Sequence, residues 1–224
     1  DNVAIGYEAA LNLTSGTDSV YVGYQAGGVG VITGNNNTVI GKGAALNAVG
    51  MSRSVFIGFM SGGTGIISGA SNICVGESTG QNLVSGNNNI LIGQDAGTML
   101  AAASGSGSAD SNVMIGVGAG KSAVTTYQSI LIGEDAGKCV TSNFNIAIGF
   151  NALKEGGGSY KNIVLGHCAG KLSNTKMTAS NMRENVLLGY NAAFCGVGQK
   201  NVMLGNYVGY GATMSCENIF IGDQ

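Results

Sequence analysis

A short motif recurs thirteen times along the 224-residue chain, and it constrains the fold more than any other feature. Each copy reads Asn or Ser, three mostly apolar residues, Gly, two variable residues and then usually Ala-Gly; the first is Asn2-Val3-Ala4-Ile5-Gly6. The motif glycines are Gly6, Gly23, Gly41, Gly58, Gly76, Gly93, Gly116, Gly133, Gly149, Gly166, Gly189, Gly205 and Gly222. Ten of the twelve intervals are 16–18 residues; the other two are 23, with the additions in 101–110 and 172–184. Such a period predicts stacked structural units.

Each unit is predicted to contain a strand and no helix. Glycine accounts for 40 residues and is costly inside helices, whereas the apolar residues form triplets without a 3.6-residue period. Short β-branched runs between Gly and Asn are typical of strands bounded by turns. The chain has no proline, as expected where each interior rung donates its backbone N–H groups to a neighbour. We therefore predict an all-β fold, a β-solenoid (β-helix or β-roll) of about 13 rungs with a repeat of about 17 residues.

Two positions of the motif have a physical explanation. The glycine after the triplet is present in all thirteen units, which indicates a corner with positive φ or no room for a Cβ. The leading residue is Asn in ten units and Ser19, Ser54 or Ser129 in the others. Stacked Asn side chains can hydrogen-bond amide to amide along a rod. We therefore interpret the Asn row as structural and not as a ligand site.

The triplets also predict an oligomer. Side chains of a strand alternate between its two faces, so Val3 and Ile5 point to one face and Ala4 to the other. Because nearly all triplet residues are apolar, one face would remain as an apolar stripe larger than a soluble monomer usually exposes. A second sheet of the chain or further copies could cover it, but the second half of each unit has only small apolar patches. We favour a homotrimer, with a dimer next.

Charge and cysteine content exclude several classes of function. The net charge of −2 gives no excess of positive charge that would attract nucleic acid or an anionic membrane. No apolar run is long enough to span a bilayer. Five cysteines without a Cys-x-x-Cys motif indicate neither a disulfide framework nor a zinc site. We expect no cofactor, metal, nucleic-acid partner or membrane insertion, and assembly in a reducing cytoplasm. The chain begins and ends inside a repeat, so residues 1–224 are interpreted as one solenoid domain and a fragment of a longer chain.

The candidate binding residues form a row just after the glycine corner. They are Tyr7, Tyr24, Phe59, Phe150 and Tyr190, with Tyr207 one place later. Facing outward, these rings would form a broken ladder suited to stacking on sugars. The alternative, which we rank first at this stage, is that they pack over the corner or against another chain. The two 23-residue units offer a further recognition surface, since their extra loops interrupt the rod.

Catalytic residues are not expected. His167 is the only histidine, and the adjacent Cys168 would face the opposite way on a strand, so the two cannot form a nucleophile–base pair. The segment Ile5-Gly6-Tyr7-Glu8-Ala9-Ala10 resembles one hexapeptide of the left-handed β-helix acyltransferases, which use a histidine between subunits, but those proteins repeat the hexapeptide consecutively. We therefore predict a surface histidine. The acidic residues after the glycine, such as Asp95 and Asp135, are interpreted as a solvated face.

The motif beginning Asn2-Val3-Ala4-Ile5-Gly6 resembles the "(N)SVAIG" repeat in the head domains of trimeric bacterial adhesins. It is also similar to repeats in viral and phage attachment fibres, including host-attachment surface proteins of chlorella viruses. The resemblance extends over the whole chain and implies a rigid trimeric rod on a virion or cell surface that binds a host receptor or cell-wall carbohydrate. A structural stalk or spacer and, after it, a solenoid enzyme such as an acyltransferase remain as alternatives.

Overall fold

The computed structural model describes residues 1–100, 109–172, 182–195, 198–211 and 215–223. These residues form one thirteen-stranded parallel sheet and a two-stranded one, and they contain no helix. The main sheet comprises β1 (Asn2–Ile5), β2 (Ser19–Val22), β3 (Thr38–Ile40), β4 (Val55–Ile57), β5 (Ile73–Val75), β6 (Ile90–Ile92), β7 (Val113–Ile115), β8 (Ile130–Ile132), β9 (Ile146–Ile148), β10 (Ile163–Leu165), β11 (Val186–Leu188), β13 (Val202–Leu204) and β15 (Ile219–Ile221). Strands β12 (Gly198–Gln199) and β14 (Ser215–Cys216) form the small sheet.

Strands of the main sheet pair in the order of the sequence and without stagger. The central residue Val39 of β3, for example, lies opposite Tyr21 of β2 and Phe56 of β4. The chain is thus a parallel β-solenoid of about twelve turns with a repeat of about 17 residues, which confirms the predicted architecture. Most of the two insertions at 101–110 and 172–184 lies outside the described residues. Because equivalent residues of successive rungs stack, we call each repeat position a column.

The central residue of each triplet fills the inside of the coil. From Tyr21 in β2 to Met203 in β13 these residues are buried. Opposite them, apolar residues from the second half of the units complete the core, including Ile67, Leu83 and Val140. The small apolar patches in the second half of each unit therefore close the coil within one chain.

The first and third residues of each triplet point away from this core. Apart from Thr38 they are all aliphatic, and each is partly or largely exposed; Ile73 and Ile163, for instance, are both 39% exposed. They form two parallel apolar columns that extend along the whole sheet, here called the strand face. The alternation predicted from the sequence is confirmed, and the described residues of the chain leave this face uncovered.

At each interior corner glycine, backbone atoms of the next rung occupy the space that a Cβ atom would need. Gly23 has φ +134°, and a Cβ built on it would lie 2.6 Å from the carbonyl oxygen of Gly41 in the next rung. Both explanations offered for the invariant glycine, positive φ and lack of space, therefore apply together.

The leading Asn residues form a buried hydrogen-bonded row, as predicted. Asn112 Nδ2 donates to Asn89 Oδ1 of the preceding rung at 3.0 Å and to the Thr126 carbonyl at 2.7 Å. Asn112 Oδ1 in turn accepts from the backbone N–H of Ser129 at 3.2 Å. Ser129 Oγ accepts from the backbone N–H of Asn145, so a serine continues part of the network. The amide atoms of Asn112 thus bond either to backbone groups or to the neighbouring side chain of the row, which confirms its structural role.

Candidate functional site

The turn after each corner glycine determines which side chains reach the surface. The second and fourth residues after the glycine have left-handed backbone conformations, as at Asp135 (φ 55°) and Gly137 (φ 56°). The third residue, Ala136 in this rung, is buried. The first residue after each glycine is exposed and the fifth is half-exposed or exposed in most rungs; we call these two positions column 1 and column 5. Column 2, the second residue after the glycine, lies between them in the sequence.

All six predicted aromatic residues are exposed, with fractions from 39% for Tyr207 to 63% for Tyr7. Column 1 contains five of them, Tyr7, Tyr24, Phe59, Phe150 and Tyr190, whereas Tyr207 lies in column 2. His167, which the sequence had singled out only as a surface residue, lies in column 1 between Phe150 and Tyr190. His167 is exposed and Cys168 is buried, in agreement with their predicted opposite orientation.

The first rungs carry one group of these rings, the N-terminal ring cluster. Tyr7 and Tyr24 stack with their centroids 5.3 Å apart and their planes at 16°. Lys42 Nζ lies 5.7 Å from the Tyr24 centroid and 5.9 Å from that of Phe59, so it joins the two rings by cation–π contacts. A hydrogen bond with Glu8, followed by the charge of that residue, raises the pKa of Tyr7.

The last rungs carry a larger group, the C-terminal ring cluster. His167 lies between Phe150 and Tyr190, 5.0 Å from each centroid and with planes at 28° and 20°. Tyr190 meets Tyr207 edge to face at 5.3 Å, and Tyr207 lies 6.1 Å from Tyr210. Tyr210 stacks on Phe194 at 5.2 Å. Sequence analysis left open packing over the corner or against another chain. Within one chain these rings pack on each other, and each of the residues remains partly exposed.

Column 5 contains a feature that the sequence analysis missed. Four successive rungs place a lysine there, namely Lys121, Lys138, Lys154 and Lys171. The column then continues into the ring cluster with Phe194 and Tyr210. Successive members are separated by one rung, about 4.8 Å. Aligning the fifth residue after each motif glycine would have revealed this column, but the spacing of 16 or 17 residues in the linear sequence conceals it.

Two aspartates of column 2 neutralise part of the positive charge of the lysine column. Lys121 Nζ lies 2.9 Å from Asp95 Oδ2, and Asp135 Oδ2 accepts Lys138 at 3.2 Å and Lys154 at 2.8 Å. Burial acts to raise the pKa of Asp135, but hydrogen bonds and charge from Lys154 and Lys138 outweigh it, so the pKa is lowered. The acidic row interpreted from sequence as solvated is therefore ion-paired at these two positions.

Lys171 has a different environment. Its Nζ lies 5.7 Å from the Phe194 centroid, and among the described residues no carboxylate lies within ion-pair distance of it. One rung earlier, in column 2, Asn151 is only 6% exposed and its Oδ1 has no hydrogen-bond partner in the described part of the chain. Buried polar atoms are normally satisfied, and this oxygen is an exception below the surface next to the lysine column.

The cysteines lie outside columns 1 and 5. None of the five cysteines forms a disulfide in the described structure. Burial raises the pKa of the Cys74 thiol, and burial together with Glu155 raises that of Cys139 to about 11, which keeps both protonated near neutral pH. The described residues contain no group of three or more His, Cys, Asp or Glu placed to hold a metal ion. Within the same ranges, no helix has the length and hydropathy needed to cross a bilayer.

Comparison with known proteins gives no relative from which a function could be transferred. No protein-family model, curated protein or solved structure matches the chain significantly. The functional argument below therefore depends on the columns themselves.

Proposed function

We propose that this protein is a non-enzymatic attachment rod, displayed on a virion or cell surface, that binds carbohydrate of a host surface or cell wall. The proposal depends mainly on one observation: both ring clusters are exposed, and the unstaggered stacking of the rungs aligns their rings along the solenoid. Aromatic rings with polar edges suit sugars, because an apolar body and a hydrogen-bonding group are presented together. The resemblance of the repeat to those of adhesin heads and attachment fibres supports the same function.

The proposal includes a homotrimer, with a dimer as the second possibility, assembled through the strand face. Three residues per strand span about 10 Å and thirteen strands about 58 Å, so the face has a footprint of nearly 600 Å² per chain. Two such faces total about 1,200 Å², the lower end of specific interfaces. The buried thiols of Cys74 and Cys168, which form no disulfide, support assembly in a reducing cytoplasm before display.

A purely structural stalk is the second candidate. It is favoured by the stacking of the rings on each other, since contacts such as Phe150–His167–Tyr190 also stiffen the rod. A solenoid enzyme has less support: His167 contacts two aromatic rings, and no carboxylate is among its recorded contacts in the described residues.

Binding of the fluorescently labelled chain to an array of cell-wall and surface glycans distinguishes these functions. We expect binding by the wild type and a loss of about tenfold, roughly 1.4 kcal/mol, in the Tyr190→Ala/Tyr207→Ala variant. The matched control is Tyr127→Ala/Phe144→Ala, which removes an edge-to-face pair located away from columns 1 and 5. Wild-type chains that bind no glycan would favour the stalk. Equal losses in both variants would indicate a general effect on the fold.

A further inference from the structure

The positive charges of the chain are concentrated in its later rungs. Eight of the ten Lys and Arg residues follow residue 115, compared with six of the twelve Asp and Glu residues. The overall net charge of −2 conceals this asymmetry. The arrangement of charge on a surface determines which charged polymers that surface attracts. The net charge of the whole chain does not determine this.

The lysine column and the C-terminal ring cluster form one continuous surface. Lys171 contacts Phe194, Phe194 stacks on Tyr210, and Tyr210 adjoins Tyr207. Tyr207 contacts Tyr190, which leads into column 1. A cationic strip of four rungs thus joins an aromatic cluster without interruption.

The spacing of the strip suits a linear polymer that lies along the rod. Adjacent lysines are about 4.8 Å apart, a step close to the length of one pyranose residue in a linear glycan. Asp135 accepts two of them at once, which shows that column 5 can hold carboxylate oxygens. These ion pairs are half-buried, with side-chain exposures from 19% to 41%, so the ammonium groups keep part of their surface open to an external carboxylate. Lys171 adds a cation that has no carboxylate within ion-pair distance among the described residues.

We propose that the strip formed by Lys121, Lys138, Lys154 and Lys171, together with the C-terminal ring cluster, binds a linear acidic polysaccharide. Carboxylate or sulfate groups of the polymer contact the lysine column, and its sugar rings contact the exposed edges of the aromatic residues. This inference depends on the carbohydrate-binding function proposed above and specifies the class of ligand.

The test measures binding of the chain to polygalacturonate and dextran sulfate, with methyl-esterified polygalacturonate and dextran as neutral counterparts. We expect the wild type to bind at least one acidic polymer, at least about tenfold tighter than its neutral counterpart, and more weakly as salt is added. Replacing all four column lysines by Gln should reduce this affinity by at least about tenfold. The control Arg53→Gln/Lys161→Gln/Arg183→Gln/Lys200→Gln removes the same charge away from the strip and from both ring clusters, and it should retain most of the affinity. Thermal unfolding checks that both variants remain folded.

Each contrary outcome has a distinct meaning. Binding of neutral glycans alone, or equal loss in both quadruple variants, would overturn the acidic-polymer inference and leave carbohydrate attachment intact. Inorganic polyphosphate that binds as tightly, with the same lysine dependence, would also overturn it, since the strip would then recognise charge without the sugar. Failure to bind any glycan would overturn the attachment function itself.

Discussion

The corner glycines are the positions where a single methyl group matters most. Gly133 has φ +126°, and a Cβ there would lie 2.6 Å from the carbonyl oxygen of Gly149. The obstructing atom is backbone of the next rung and cannot move without disturbing the sheet. Strain from the unfavourable φ alone is of order 1–3 kcal/mol, and the overlap adds to it.

We therefore expect Gly133→Ala to reduce the free energy of unfolding by at least about 2 kcal/mol. Gly50 is the matched control, because its φ is ordinary and the nearest atom to an added Cβ is Thr33 Oγ1 at 4.0 Å. Gly50→Ala should be neutral or slightly stabilising, since alanine restricts the unfolded chain. Urea unfolding followed by circular dichroism compares the two. Similar stabilities would contradict the steric explanation of the motif glycine.

At the scale of the rung, the Asn row connects each strand to the turn that closes its coil. Asn162 Nδ2 donates to Asn145 Oδ1 and to the Met182 carbonyl, and its own Oδ1 accepts from Asn185. Removing the amide leaves several buried polar groups without partners, each costing about 1–3 kcal/mol.

Asn162→Ala should consequently destabilise the rod by roughly 2–4 kcal/mol, measured as a shift in urea midpoint at constant slope. Asn162→Ser should cost less, because Ser19 and Ser129 occupy the same column naturally and accept from the next rung. Equal losses for Ala and Ser would mean that the hydrogen bonds are not the source of the stability.

The elements also show where prediction from sequence succeeds. The triplet, the motif glycine and the leading Asn occupy identical positions in the repeat, so aligning the units was sufficient to locate the strands, the corners and the hydrogen-bonded row. Left-handed conformations at non-glycine residues such as Gln128 and Leu153 were not predicted, since the rung-to-rung packing imposes them against local preference. The lysine column was missed for a different reason: only four successive rungs carry lysine at this position, so the pattern becomes visible only when the units are stacked in register.

At the scale of the molecule, the uncovered strand face is the feature with the strongest consequence for assembly. Two aliphatic columns face outward along thirteen strands, an arrangement that favours self-association.

Light scattering on the 22.4 kDa chain should give a mass near three chains. Ile73→Lys/Ile163→Lys, which places charges on the strand face, should shift the mass towards one chain. Ile66 is also exposed but lies outside the triplets, so Ile66→Lys serves as the control and should leave the mass unchanged. A monomeric wild type would contradict assembly through this face.

The unstaggered register has a consequence for how such rods can vary in length. Duplicating or deleting one complete unit of about 17 residues adds or removes one rung, about 4.8 Å, and leaves every remaining column aligned. A change of any other size must be accommodated as a loop or it breaks the stacking. Recombination between repeats therefore alters the reach of the rod in fixed increments while the chemistry of each surface column is carried along intact.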